Sequence, residues 1–450
     1  MFQKILVANR GEIAVRIIRS CKQMGIETVA IYSTADEDSL HVSLADEAVC
    51  VGKAPASASY LNMENIISAA INTGAEAIHP GFGFLSENAK FAELCESCNL
   101  TFIGPSSKTI REMGDKSKAR ALMKEAGVPL VPGSENEVSL DEGKSMIESV
   151  GLPLLIKASA GGGGRGMRVV HKASEFEAAY RAAKQEAAAA FGHDGVYIEK
   201  LVTNPRHIEV QILADKYGTT LHLYERDCSI QRRNQKVIEE APSNMPEPLR
   251  EAMFEAALKA ARAVGYENAG TIEFIVSEGK FYFIEMNTRI QVEHPVSEMI
   301  TGIDIIRQQI RIASGEKLGF SQSDVIARGH AIETRINAED PLNDFRPSPG
   351  RVEFLHLPQG PGIRFDSMVY TDYEIPPYYD SMIGKLIVHG ITREEAVFKM
   401  RAALEEFVCS GITTNQWFLW MIMNHEDFYR NHVDTAFIRT HIKRLIRYET

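Results

Sequence analysis

Excess positive charge is the first thing this chain lacks. Its 450 residues carry 49 Lys and Arg against 60 Asp and Glu, a formal net charge of -11. A general nucleic-acid binder needs a basic footprint, so that class is set aside. Long apolar runs are missing too, and none approaches the roughly 20 residues of a membrane span. Met1–Ala8 is too short and too charged for a signal peptide and reads as a first strand. Cysteine is scarce: there are 6, scattered, which argues against a disulfide framework and suits a reducing cytoplasm. Cys95 and Cys98 make one C-x-x-C in a helical stretch, without the second ligand pair a zinc site needs. Internal repeats are absent, and the only biased tract is a run of glycines.

The chain is long enough for two or three domains. Residues 1–114 alternate strand and helix. Ile5–Ala8 leads to a helix from Gly11 to Met24, stopped by Gly25, then to the strand Thr28–Tyr32. Further strands are expected near Val49, Ile78 and Phe102. This rhythm predicts a parallel, Rossmann-like sheet. The turn Ala8–Glu12 holds one glycine, so it is a poor dinucleotide fingerprint. Residues 115–330 form a second unit. A helix with Lys116, Lys118 and Lys124 opens it, Pro129 and Pro132 mark a linker, and 133–203 is a small mobile lid. The rest of this unit is strand-rich, with helices near 246–264 and 295–314. Residues 331–450 begin on the strand Ala331–Ile336 and close in helices, the basic run Arg439–Arg447 being a solvated face. The fold class is α/β and α+β, with a C-terminal α+β domain.

What is present is concentrated in Glu285–Pro295, which holds two carboxylates, two amides, a guanidinium and an imidazole. It follows the apolar run Phe281–Ile284, a buried strand. Charged groups leaving a core strand are costly unless paired, and a divalent metal and an anionic substrate would pair them. Upstream, Gly270–Val276 alternates, so the two runs predict a β-hairpin. A three-residue loop, 278–280, sets Ser277 opposite Phe281. Counting back sets Glu273 opposite Glu285, with Asn287 on the same face. Opposed carboxylates repel unless a cation lies between them. Their oxygens suit Mg²⁺ or Mn²⁺. The competing reading pairs one Glu with an arginine and solvates the other.

Three further segments carry chemistry. Lys157–Met167 contains Gly161–Gly164 between two strand-like runs, so it reads as a glycine hairpin and neither a P-loop nor a Rossmann turn. Its backbone N–H groups could approach phosphates closely, with Lys157 as a point charge; a flexible solvent hairpin is the alternative. In Arg206–Ile212, alternation sends Ile208, Val210 and Ile212 to the core and His207, Glu209 and Gln211 to the other side. Taken alone that polar row reads as a solvated sheet face. Glu225–Lys236 holds four cations among polar residues, either an anion site or a solvated loop.

Together these segments resemble the biotin carboxylase module of biotin-dependent carboxylases, within the ATP-grasp superfamily. The resemblance covers essentially the whole chain. Ile5–Ile18, His79–Asn88, the glycine hairpin, Glu285–Pro295, Arg335–Pro341 and Pro376–Met382 carry it. It implies a pre-ATP-grasp domain over 1–114, an ATP-grasp domain over 115–330 and a C-terminal biotin carboxylase domain over 331–450. The implied reaction is ATP, bicarbonate and a biotinyl carrier giving carboxybiotin, ADP and phosphate, with Mg²⁺ or Mn²⁺. Motif match would place Lys116, Lys157, Gly163, Gly164, His207, Gln231 and Asn234 around ATP, with Glu199, Lys200 and Val202 at its adenine. Glu273, Glu285 and Asn287 would carry metal, as the hairpin register also suggests. Lys236, Arg289, Gln291 and Val292 would bind bicarbonate, Glu293 would be its general base, and Arg335 would stabilise the biotin enolate. The bland alternative for Arg335 is an ion pair with Glu339.

Two positions depart from the family pattern: Asn234 stands where many members have His, and Phe82 where Tyr is common. No Ala-Met-Lys-Met biotin-attachment motif occurs, and the length leaves no room for a carboxyltransferase. The resemblance therefore implies a separate biotin carboxyl carrier protein, carboxyltransferase subunits and a homodimer. The natural parent is acetyl-CoA carboxylase, feeding malonyl-CoA to fatty-acid synthesis. Propionyl-CoA, other acyl-CoA and 2-oxoacid carboxylases share the module. An ATP-grasp amide ligase and a silent nucleotide-binding protein are the rival classes.

Overall fold

The computed structural model describes residues 1–134, 136–159 and 166–447. The first unit is a parallel sheet of β1 (Lys4–Val7), β2 (Glu27–Ser33), β3 (Glu47–Gly52), β4 (Ala77–His79) and β5 (Thr101–Phe102), in the order β3-β2-β1-β4-β5. Alternation along β1 feeds two cores. Ile5 and Val7 pack with the helix Gly11–Gln23, whereas Leu6 and Ala8 join Ile66, Ile67 and Phe91 on the other face. Both faces are thus covered, as parallel sheets require. Gly25, at φ 71, follows that helix in the left-handed region, where a side chain would be strained.

The expected lid is a separate layer. Strands β6 (Leu154–Ala158), β7 (Met167–Val170) and β8 (Val196–Lys200) form an antiparallel sheet with β6 central. It has its own core of Leu154, Ile156, Val170, Phe176, Tyr180, Val196 and Ile198. Lys157 pairs with Met167, so the two strands flanking the glycine run are antiparallel neighbours. Gly163 and Gly164 themselves lie outside the described residues.

The site is built on an eight-stranded sheet. It contains β9 (Arg206–Ala214), β10 (Thr220–Arg232), β11 (Gln235–Ala241), β12 (Asn268–Ser277), β13 (Lys280–Asn287) and β14 (His330–Asn337). Strands Met382–Gly390 and Ile363–Ser367 complete it, in the order β13-β12-β9-β10-β11-β14, then Met382–Gly390, then Ile363–Ser367. The sheet does not break at position 330, because β11 pairs directly with β14. One face buries Ile208, Val210, Ile212, Ile272 and Phe274 against Met253, Phe254 and Ala257 of the helix Glu247–Ala263. The other face carries the polar groups.

The hairpin register reaches the expected end by a different route. The β12–β13 turn has two residues, Glu278 and Gly279, both at positive φ, and Ser277 pairs with Lys280. That is the turn favoured by strand twist. Taken alone it would put Glu273 opposite Ile284. A bulge leaves Ile284 unmatched and restores Glu273 opposite Glu285 and Thr271 opposite Asn287. No helix among the described residues is long and apolar enough to cross a membrane.

Candidate active site

The polar row on β9 is buried, not solvated. Glu209 and Gln211 are inaccessible and His207 is nearly so. Glu209 pairs with Glu273 of β12 on one side and Arg226 of β10 on the other. Carboxylates this deep need cations, and two arrive, one from the adjacent β10 and one from β11 beyond it. Arg226 donates Nε to Glu209 Oε1 at 2.5 Å, and its other nitrogens reach Gln211, Ser297 and Thr271. Lys236 donates Nζ to Glu209 Oε2 at 2.6 Å, and to Glu273 Oε1 and Glu293 Oε1 at 2.8 Å each. Burial opposes the lysine's charge, but the three carboxylates hold it well above the ordinary lysine value.

Glu293 is the meeting point. It stands at the N-terminus of the helix His294–Thr301, with Pro295 in the first turn, where a missing N–H costs nothing. Its Oε1 accepts from Lys236 Nζ and faces Cys228 Sγ at 3.8 Å; its Oε2 accepts from Arg335 Nη2 at 3.0 Å. Burial pushes this carboxyl up, but Lys236, Arg335 and Arg226 hold it well below the carboxylate range. It is therefore ionised at neutral pH. Arg335 is anchored by Glu239, with Nε at 2.6 Å from Oε1. Glu339 instead takes Arg232, so the alternative partner for Arg335 is overturned. A small cavity beside Arg335 is lined by Lys236, Asn337, Glu339, Phe345 and Phe418.

A slip in pairing brings Lys236 and Glu239 to one site. Three positions apart, they would face opposite ways on a regular strand. Lys236 pairs with Gln231 and Ile238 with Ile230, leaving Val237 unmatched, and this re-aims the strand.

Arg289 forms the other wall. It donates Nε to Glu87 Oε2 at 2.8 Å, Nη1 to Gln291 Oε1 at 2.8 Å and Nη2 to Asn287 Oδ1 at 2.9 Å. Gln291 and Asn287 also donate to Glu273 Oε1, at 3.2 and 2.9 Å. Val292 contributes its carbonyl to Lys385 Nζ at 2.6 Å. His207 Nε2 lies 3.1 Å from Glu273 Oε2, while Nδ1 meets Gln231 Nε2 at 3.2 Å. Burial lowers His207, and Glu273 more than offsets this, leaving it above its ordinary value.

Glu285 differs from its neighbours. It is half-buried, faces Glu273 in register, and has no hydrogen-bond or ion-pair partner among the described residues. Burial and then Glu273 push it above the usual range, with Lys116 pulling the other way. A cation between Glu273 and Glu285 would remove that tension, so the residues fit a hard divalent metal. Asn287 Oδ1 and Glu273 Oε1 are already engaged, and His207 Nε2 faces Glu273 Oε2, which leaves the Glu285 carboxylate as the freest group of the three.

The lid supplies a second ion cluster. Glu199 of β8 is buried between Lys157 Nζ, at 2.5 Å, and Arg120. Lys200 Nζ donates to Leu152 O at 2.8 Å, and Val202 follows half-buried. Lys116 is half-buried at the start of its helix, capped by Asp115. Asn234 is exposed in the two-residue β10–β11 turn, where it and Arg233 take positive φ, a conformation Asn tolerates. The four cations of Glu225–Lys236 thus part company: Arg226 and Lys236 enter the cluster, Arg232 meets Glu339, and Arg233 meets Asp344 on the surface.

Several groups here had no role assigned from sequence: Glu87, Arg120, Glu209, Arg226 and Glu239. Glu87 lies inside the motif His79–Asn88, Glu209 in the alternating row and Arg226 in the cation-rich segment Glu225–Lys236, so those three had a signal. Arg120 and Glu239 had none.

Three family matches tile the chain. "Biotin carboxylase, N-terminal domain" matches residues 1–110, "Carbamoyl-phosphate synthase L chain, ATP binding domain" 115–321, and "Biotin carboxylase C-terminal domain" 333–440. A biotin carboxylase of Nostoc sp. is 58% identical over 441 residues, covering 97% of this chain and 99% of its own length. A pyruvate carboxylase subunit of Methanothermobacter thermautotrophicus is 54% identical, covering 97% and 90%. Among solved structures, the biotin carboxylase domain dimer of Hydrogenobacter thermophilus 2-oxoglutarate carboxylase superposes with a TM-score of 0.94 at 51% identity. It covers 100% of both chains and is described in complex with MgADP, ADP and bicarbonate.

Proposed function

The chain belongs to the biotin carboxylase family, and from that premise we propose that it is the biotin carboxylase subunit of an acetyl-CoA carboxylase. It is a ligase that carboxylates biotin with ATP and bicarbonate. The observation that carries the site assignment is the buried Glu293 held between Lys236 and Arg335.

Lys236, Arg289, Gln291 and the Val292 backbone receive bicarbonate. Once that anion shares Lys236 and Arg335, the hold on Glu293 relaxes and its basicity rises. Glu293 then takes the bicarbonate proton. The freed oxygen attacks the γ-phosphate, breaking its bond to ADP and giving carboxyphosphate. Lys116, Lys157, His207 and Gln231 hold and orient the nucleotide, with Glu199, Lys200 and Val202 at the base. Asn234, Gly163 and Gly164 belong to the same proposed set. Glu273 and Glu285, with Asn287, would hold Mg²⁺ or Mn²⁺, which supplies charge neutralisation at the phosphates. Carboxyphosphate breaks to CO₂ and phosphate. The phosphate takes the biotin N1 proton while Arg335 balances the enolate oxygen, and N1 then bonds to CO₂. A guanidinium suits that post because it never deprotonates.

A carrier protein presenting biotin, carboxyltransferase subunits and a homodimer complete this reading, the last supported by the dimeric Hydrogenobacter relative. A cytoplasmic place is supported by six cysteines that are all free. The divisions 1–114, 115–330 and 331–450 are supported by the three family spans. The pyruvate and 2-oxoglutarate carboxylase relatives favour a second reading, the same subunit of a 2-oxoacid carboxylase. The test is bicarbonate-dependent ATP cleavage with and without free biotin. Reconstitution with the cognate carboxyltransferase then compares acetyl-CoA, pyruvate and 2-oxoglutarate. ATP cleavage indifferent to bicarbonate would refute the enzyme, and carboxylation of a 2-oxoacid alone would refute the acetyl-CoA assignment.

A further inference from the structure

Behind Arg335 lies a second carboxyl layer that the reaction above does not use. Glu239 on β11 and Glu333 on β14 are register partners, and both are fully buried. Glu333 shares its strand face with Arg335, two residues on. Arg335 directs Nε to Glu239 Oε1 and Nη2 to Glu293 Oε2, so these two carboxylates clamp the guanidinium from either side. Glu239 Oε2 has no hydrogen-bond partner, and neither oxygen of Glu333 has one. The cation on the adjoining strand, Lys385, is pledged elsewhere, to Val292 O at 2.6 Å and Glu12 Oε1 at 3.2 Å. The charged groups around Glu333 are thus Glu239, Arg335, Glu293 and Lys385, and none of them bonds to it.

Two buried carboxylates in register, three of their four oxygens bare, are not both ionised. A proton on Glu333 leaves Glu239 as the one charged member of this pair, facing the guanidinium opposite Glu293. Burial and the proximity of Glu239 favour this, raising Glu333 well above the ordinary value.

We propose that Glu239 is a positioning residue that fixes the Arg335 guanidinium for the biotin enolate, with Glu333 opposite it held as the neutral acid. This rests on the reading of Arg335 given above. When bicarbonate engages Glu293, the Glu293–Arg335 contact is shared with substrate, and Glu239 becomes the remaining anchor. Losing it lets the guanidinium swing toward Glu293, away from where the enolate oxygen forms.

The test compares Glu239→Gln, Glu239→Asp, Glu333→Gln and Arg335→Ser in the full chain. ADP and carboxybiotin are measured together with ATP, bicarbonate and free biotin. In Glu239→Gln the ratio of carboxybiotin to ADP falls by roughly 10-fold or more, the scale of a hydrogen bond between charged groups, while ADP release stays within about 3-fold of wild type. Glu239→Asp, which keeps the charge, recovers part of the ratio. Glu333→Gln keeps the wild-type ratio, because an amide replaces a neutral acid. Difference infrared spectroscopy gives a second readout: the band of a buried protonated carboxyl is present in wild type and lost in Glu333→Gln. A merely structural role for Glu239 would lower ADP and carboxybiotin alike, with the ratio unchanged, and would overturn the proposal. So would the absence of that infrared band, which does not require Glu239→Gln to fold. If Arg335→Ser itself keeps wild-type coupling, the reading of Arg335 fails beneath it. If Arg335→Ser uncouples and Glu239→Gln does not, only the present inference fails.

Discussion

Replacing Glu293 by Gln changes a charge while keeping the shape of the side chain. In the folded protein Lys236 would retain Glu209 and Glu273, and Arg335 would retain Glu239. No buried cation is stranded, so the heavy penalty of an unpaired charge does not apply. The amide oxygen still accepts one of the two hydrogen bonds now made by the carboxylate. The expected loss of stability is about 1–3 kcal/mol, the scale of a hydrogen bond to a charged group. The chemical loss is larger. A positioned general base is worth roughly 10²- to 10⁴-fold, or about 3–5 kcal/mol of barrier. The variant should therefore fold and bind nucleotide yet lose its bicarbonate chemistry. ADP release is measured at saturating ATP, with and without bicarbonate, and carboxybiotin is measured in parallel. The bicarbonate-dependent increment and carboxybiotin should fall together by that factor, whereas the bicarbonate-independent background stays. Wild-type bicarbonate-dependent cleavage in Glu293→Gln would refute the base assignment. An equal fall in the background would point to a collapsed site.

Three further outcomes follow from the same cluster. Glu273→Gln and Glu285→Gln should each depress ATP turnover by 10-fold or more, at roughly the level of a lost hard-metal ligand. Raised Mn²⁺ should partly restore at least one, and near-normal turnover of both at low Mg²⁺ would remove the metal assignment. Arg226→Ala leaves Glu209 Oε1 bare in a dry interior, with Lys236 holding only Oε2, and should destabilise the protein by about 1–3 kcal/mol, the scale of a lost hydrogen bond between charged groups. Denaturant unfolding checks this, and a wild-type midpoint would show that Lys236 alone satisfies Glu209. The Glu239–Glu333 pair links folding to a proton. A carboxyl raised on folding contributes stability below its unfolded pKa of about 4.3, and loses it as pH rises toward the folded value. For Glu333 that value lies well above the ordinary carboxyl range, by burial first. Wild-type stability should therefore fall by up to about 1.4 kcal/mol per pH unit between pH 5 and 7 from this pair. Glu333→Gln should flatten that slope, and an unchanged slope would place the proton elsewhere.

Much of the architecture is present in local pattern. The βαβ rhythm of the first 114 residues, the separate lid and the strand content after 205 all follow from periodicity and turn residues. Those depend on neighbours a few positions away. Glu273 opposite Glu285 was reachable by counting, although the count assumed a longer turn and missed the bulge at Ile284 that compensates for it. A bulge leaves no mark in alternation, because it is set by sheet twist and by the partner strand.

What only the tertiary structure decides is which polar groups are buried together. His207, Glu209 and Gln211 read equally as a wet sheet face, since alternation says which way a side chain points and not what covers it. Lys236 and Glu239 share a site because Val237 drops out of register. Glu87, Glu209, Glu273 and Glu293 converge on Lys236 and Arg289 from segments far apart in the chain. Local sequence fixes the residues and their facing. The charge balance of a buried site is long-range, and only the packed chain brings the balancing partners into hydrogen-bond reach.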